Sequence, residues 1–298
     1  NRFVPGLEPW RFSRLLWLIT VCTAALSGPL LEKPLHFLCV AQLFSAKKRR
    51  NPLSVLEARL AVVVDVKLLA GNSGYDVVVH SNQFSSRLAP IGVFEMLDFS
   101  RLPNIRHLDP EVMDRIRYEA VADYNVPYHW GSTGYAWNVA KVRERLPDHP
   151  MDSSDVLFDP EVISKLADCG VSLLDGPTDV FPMVLAYLGR DPNAVDDDSL
   201  EAAREQIQKV RPYIRYFSNT KMMTDLPNKE ICVAMSWSGD YAQAQARAEE
   251  AGIDIELRYT IPKEGSGLWV DGLYIPSDAP HKDNAYRFID FMMRPDIA

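Results

Sequence analysis

The chain has 298 residues and a mass of 33.7 kDa, enough for about two domains with substantial cores. Hydrophobic residues make up 47% and charged residues 24%, an ordinary globular balance that excludes a wholly disordered, collagen-like or coiled-coil chain. Lys and Arg number 32 against 40 Asp and Glu, so the net charge of −8 argues against nucleic-acid binding by phosphate neutralisation and suits a cationic ligand.

Arg2, Arg11 and Arg14 precede the apolar run LLWLITVCTAAL at 15–26, which small residues follow. A basic start, a short apolar stretch and a small-residue cleavage site are the pattern of a secretory signal, expected over residues 1–28. The run is short for a bilayer span. Residues 38–59 carry the basic cluster Lys47, Lys48, Arg49 and Arg50. In an exported acidic protein this reads as a solvated loop, or as a stretch never selected for folding.

From Leu60 the pattern alternates. LAVVVDV (60–66) and YDVVVH (75–80) are dense in Val and predict buried parallel strands, with the turn GNSG (71–74) before the second. Helices are predicted at 109–117, 138–145, 160–168, 178–188 and 199–210. Thr178 is a candidate cap, with Asp179 in the first turn. The acidic triplet 196–198 reads as a solvated loop. ICVAMSW (231–237) predicts a buried strand, and YAQAQARAEEAG (241–252) a helix ended by Gly252. IDIELRYTIP (253–262) and GLWVDGLYIP (267–276) predict strands, and DNAYRFIDFMMR (283–294) a helix. Strands alternating with helices imply an α/β architecture with parallel-rich sheets.

No G-x-S-x-G, H-E-x-x-H, P-loop or C-x-x-C motif occurs, and the six histidines have no metal-ligand spacing, so neither a cofactor nor a metal is expected. His80 and Ser81 are neighbours on a strand and point to opposite faces, against a direct proton relay. Cys22 lies in the expected signal and Cys39 in the irregular stretch. Cys169 and Cys232 can pair in an oxidising compartment, or remain buried thiols.

What recurs is an aromatic ring with a carboxylate. Trp237 and Asp240 stand in WSGD at a strand end, Trp269 and Asp271 sit two apart in LWVD, and Asp179 opens a helix. Tyr128 and Trp130 flank His129 in PYHWGSTG. Taken singly, a Trp is usually core and an Asp after Gly usually a turn. Together, ring faces with acidic ends suit an alkylammonium ligand: rings attract the cation and its methylenes, and carboxylates accept its N–H donors.

Across these residues the chain resembles the periplasmic polyamine-binding proteins of ABC importers. The resemblance runs from about Leu60 to Ala298 through LLAGNSGYDVVV (68–79), VPYHWGSTGYAWN (126–138), CGVSLLDGPTDVF (169–181), DLPNKEICVAMSWSGD (225–240) and AYRFIDFMMRPD (285–296). EKPLHF (32–37) looks like the family's first strand. The resemblance implies a two-lobed α/β fold of the type II binding-protein kind, with the ligand in a cleft between lobes. Residues 29–131 with 262–298 would form lobe 1, and 132–261 lobe 2. It implies ligand-binding roles for Ser81, Asp179, Trp237, Asp240, Trp269 and Asp271, the methylene chain lying between Trp237 and Trp269. It also implies a disulfide between Cys169 and Cys232, a monomer, a polyamine ligand (putrescine or spermidine, with Trp269 hinting at spermidine), and a membrane permease as partner. No bond is made or broken in that activity.

The sequence departs from the family pattern at three places. LCVAQLF replaces the first binding loop after His36-Phe37, the helix before KLLAG is expected to be deleted, and the chain stops at Ala298 where relatives continue. Residues 38–59 read like a frameshift. Three rivals follow: a receptor for γ-aminobutyrate or an opine-like amino acid, a hydrolase using Ser81 and His80, and a degenerate product that does not bind.

Overall fold

The computed structural model describes residues 37–38, 64–117 and 119–297. The expected signal over 1–28, Cys22, Cys39 and the basic cluster lie outside the described residues. The chain forms two compact units, one from the residues up to His129 with those from Val270, the other from Trp130–Trp269. Among the described residues, no helix is long and apolar enough to cross a membrane.

In the first unit, β1 (Phe37–Leu38) pairs parallel with β2 (Val77–Ser81), as Val-rich buried strands do. Strand alternation divides the apolar residues of β2 between two cores. Val77 joins Leu273, Ile275, Tyr286 and Ile289 on one side, whereas Val78 joins Val64, Leu68, Phe94 and Tyr274 on the other. The helix Lys282–Met292 closes the first of these, burying Ala285, Tyr286 and Ile289 at helical spacing.

The strand expected at 60–66 is not formed where it is described: residues 64–70 are helical. The deciding period is 3.6 rather than 2. Val64 and Leu68, four apart, are buried, while Val66 and Leu69 are more than half exposed. This helix runs through KLLA itself and ends before Gly71. Gly71 and Gly74 take φ of +71° and +75°, the left-handed conformation that a turn of this kind asks of glycine.

The second unit is built on β3 (Asn125–Asn138), β4 (Val171–Leu173), β5 (Ile214–Phe217), β6 (Val233–Trp237) and β7 (Leu257–Thr260). β3 begins in the first unit and carries the chain into the second. β6, β4 and β5 are parallel to one another, while β3 runs antiparallel to both β6 and β7. The sheet is thus mixed rather than parallel-rich. Cys169 and Cys232 are joined in a disulfide with Cα atoms 5.5 Å apart, tying the entries of β4 and β6. β8 (Leu268–Tyr274) returns the chain to the first unit.

Four local expectations are corrected. Residues 196–198 are not a loop: Asp196 caps the helix Asp197–Val210 by accepting from Ser199 N–H, and Asp197 and Asp198 fill its acidic first turn. The helix Pro177–Tyr187 is entered through Gly176 and Pro177, so Thr178 is not its cap, although Asp179 is in its first turn. The expected helix 160–168 is α-helical over Pro160–Ile163 and 3₁₀ over Ser164–Leu166. The strand expected at 253–262 shortens to β7.

Candidate functional site

The second unit gathers an aromatic face and two carboxylates where β6 ends. Val233–Met235 are buried and anchor β6, so its end presents Trp237 half-buried. The helix Ser238–Glu250 starts at the next residue and carries Asp240, 6% exposed, in its first turn. Asp179 reaches the same place from the helix Pro177–Tyr187. Its Oδ1 accepts from Trp237 Nε1 at 2.9 Å and from Thr133 Oγ1 at 3.3 Å. Thr133 and Trp237 are paired across β3 and β6, which fixes both donors. Asp179 Oδ2 takes no hydrogen bond among the described residues. Burial pushes the Asp179 carboxyl above its ordinary value, and the bonds from Trp237 and Thr133 pull it back.

Trp269 also lies in this unit, its ring seated on Gly131. A Cβ there would stand 2.5 Å from Trp269 Cζ2 and 2.8 Å from Ser238 Oγ, so only glycine admits the ring. Trp269 Nε1 is buried without a hydrogen-bond partner among the described residues. Trp237 and Trp269 make no direct ring contact among the described residues. The strand segment beneath Trp269 is held by Tyr259, whose hydroxyl donates to Ser132 O at 2.8 Å and lies 3.1 Å from Ser132 Oγ. Burial pushes the Tyr259 hydroxyl up to about 12, opposed by Ser132 and reinforced by the charge of Asp240.

In the first unit, Ser81 closes β2 directly opposite Asp271 of β8. Both are half-buried. Burial pushes the Asp271 carboxyl up to about 6, with the charge of His80 acting the other way. His80 turns to the other face of the strand, where Nδ1 is 2.7 Å from Ser85 Oγ and Nε2 is 2.8 Å from Asp65 Oδ1. A relay from His80 to Ser81 is therefore not formed.

Of the six residues singled out, Asp179 and Trp237 are joined directly, Asp240 follows Trp237 on the next helix, and Ser81 faces Asp271. Thr133, Ser132, Tyr259 and Gly131 were not singled out. The sole signal for three of them was the GSTG run inside PYHWGSTG. Among the described residues, no three His, Cys, Asp or Glu side chains are grouped to hold a metal.

Residues 64–298 match the family model of the bacterial extracellular solute-binding proteins. The chain is 44% identical over 237 residues to the putrescine-binding periplasmic protein SpuD of Pseudomonas aeruginosa, and 43% identical over 238 residues to the putrescine-binding periplasmic protein PotF of Escherichia coli. Each match covers 79% of this chain, but only 65% of the first relative and 64% of the second. Among solved structures, the TpPotD lipoprotein of Treponema pallidum superposes with a TM-score of 0.66 at 26% identity, covering 79% of this chain and 70% of that one.

Proposed function

The chain belongs to the bacterial extracellular solute-binding proteins, and on that premise we propose that it captures a polyamine, putrescine or spermidine, in the periplasm and delivers it to the permease of an ABC importer. It acts as a monomer and transforms no substrate. Relatives named for putrescine binding support the cargo class.

The observation that carries this reading is the Asp179 carboxylate. One oxygen is fixed by an indole N–H and a hydroxyl, and the other is left for a ligand donor. An ammonium group brings three N–H donors and no acceptor, which matches an acidic site edged by ring faces. In this reading Asp179, Asp240 and Asp271 accept ammonium groups, Trp237 and Trp269 offer ring faces to the methylenes, and Ser81 supplies a polar contact. A cargo carboxylate, as in γ-aminobutyrate, would call for an Arg among the ligand-binding residues, and the six assigned that role include none. The hydrolase rival needs a base at Ser81, and His80 is committed to Ser85 and Asp65.

Isothermal titration of the full chain with putrescine, spermidine and γ-aminobutyrate tests the reading. One-to-one binding of either amine, with none of γ-aminobutyrate, is the expected result. A folded protein that binds only the amino acid would overturn it.

A further inference from the structure

We propose that His80 is a positioning residue for amine capture: its imidazole, gripped by Asp65 and Ser85 behind the end of β2, sets the placement and the electrostatic environment of the Ser81–Asp271 pair. The proposal rests on the polyamine-receptor reading above.

The register supplies the geometry. Ser81 is opposite Asp271, and His80 is opposite Gly272. Directly opposed residues share a face of the sheet and successive residues alternate, so Ser81 and Asp271 lie on one face and His80 on the other. His80 is 9% exposed, and both its ring nitrogens are occupied, by Ser85 at 2.7 Å and by Asp65 at 2.8 Å. The Phe84, Phe94 and Tyr274 rings stand 6.2–6.5 Å away, centre to centre. The imidazole therefore ties the end of β2 to two helices, 64–70 and Asn82–Leu88.

The electrostatics follow from what faces the ring. Asp65 comes from the helix 64–70, and Ser85 and Phe84 from the helix Asn82–Leu88. Phe94 comes from the segment after it. Tyr274 comes from β8, its hydroxyl donating to Asn82 Oδ1 at 2.6 Å. The remaining charge is Asp271, across the sheet. Asp65 Oδ1 stands 2.8 Å from Nε2, so a charge on the ring would be ion-paired there. When the ring carries a charge, that charge acts to keep Asp271 ionised against its burial. Because His80 occupies the face away from Ser81 and Asp271, it supports the carboxylate without taking the position an ammonium group would fill.

The test is the pH profile of putrescine affinity, by titration calorimetry on the full chain, for the wild type, His80→Gln and Asp65→Asn. Circular dichroism verifies folding. Gln retains hydrogen bonding to Asp65 and Ser85 but cannot carry the charge. In both variants the pH at which affinity is lost should move up by about half a unit, roughly threefold weaker binding near that midpoint, with convergence at alkaline pH. Superimposable profiles from folded variants would overturn the proposal. Asp65→Asn leaves the imidazole in place and carries the test if His80→Gln does not fold. A second readout needs no cargo: carbon NMR titration of the Asp271 carboxyl, assigned by its loss in Asp271→Asn. The same upward displacement supports the role of His80, and an unmoved titration overturns it. A wild type that binds no amine sinks the receptor reading, while the carboxyl titration still decides what His80 does to Asp271.

Discussion

Trp237 donates its indole N–H to Asp179 Oδ1 at 2.9 Å, across 58 residues of sequence. The bond fixes a partly buried carboxylate beside the ring that ends β6. Removing the charge and removing the donor therefore test two separate contributions. Asp179→Asn should weaken putrescine binding by well over tenfold, because a desolvated ammonium loses its counter-charge. Trp237→Phe keeps a ring face but leaves Oδ1 with Thr133 alone, and should cost about 1.5–3 kcal/mol, the range for a hydrogen bond to a charged group. Calorimetric titration of the two variants measures both contributions, and an unchanged dissociation constant in folded Asp179→Asn would remove Asp179 from the amine-binding set.

Asp240→Asn should likewise weaken putrescine binding by well over tenfold. Asp240 is 6% exposed in the first turn of its helix, where the helix dipole favours a carboxylate. An unchanged dissociation constant in a folded variant would remove Asp240 from the amine-binding set.

The pH dependence has opposite signs with and without cargo. On the proposed reading, ammonium capture needs Asp271 and Asp179 ionised. Burial holds Asp271 up to about 6 and Asp179 above its ordinary value. Affinity should be full above about pH 7 and fall as pH drops through about 6, approaching tenfold per pH unit for each carboxyl that must release a proton. In the unliganded protein a raised carboxyl holds its proton more tightly folded than unfolded. Its contribution to stability is present below the ordinary value of 3.8 and is lost as pH rises through about 6. Asp271→Asn should flatten that part of the thermal-unfolding profile. A wild-type profile with the reverse slope, unchanged in the variant, would contradict the assignment.

The disulfide closes a sequence separation of 63 residues between β4 and β6, the strand that ends in Trp237. Replacing both cysteines (Cys169→Ala with Cys232→Ala) should destabilise the second unit by about 2–4 kcal/mol. Urea unfolding followed by tryptophan fluorescence measures it. Identical midpoints with and without reductant would show that the bridge does not form.

Gly134→Ala should destabilise by about 1–3 kcal/mol through overpacking. A Cβ at 134 would strike the Thr260 carbonyl and the Tyr259 ring, and that carbonyl belongs to the strand paired with β3. Denaturant unfolding would show the loss as a lowered midpoint.

Much of the architecture was legible because the deciding forces are local. The helix Ser238–Glu250 follows from its Ala-rich amphipathic run and from Gly252, which takes φ of +62° after the helix. β6 follows from a short apolar run without Gly or Pro. The same reasoning misread 60–66, because a Val-dense run fits a buried strand as well as one face of a helix. The choice fell to packing of Val64 and Leu68 against Phe94 and Tyr274. β3 was missed outright. Its Pro127, Gly131 and Gly134 are poor strand formers, and its extended form is held by pairing with β6 and β7, far along the chain.

The residue types of the site were likewise written in the sequence: Trp and Asp repeat at element ends, and amine chemistry asks for those types. Their partnerships were not. Asp179 meets Trp237 and Thr133, Ser81 faces Asp271, and Tyr259 clamps Ser132 only after strands distant in sequence pair in one register. Hydrophobic periodicity acts over a few residues and decides which elements form. Hydrogen-bond register between strands acts over the whole chain, and it set Thr133 beside Trp237, where both reach Asp179.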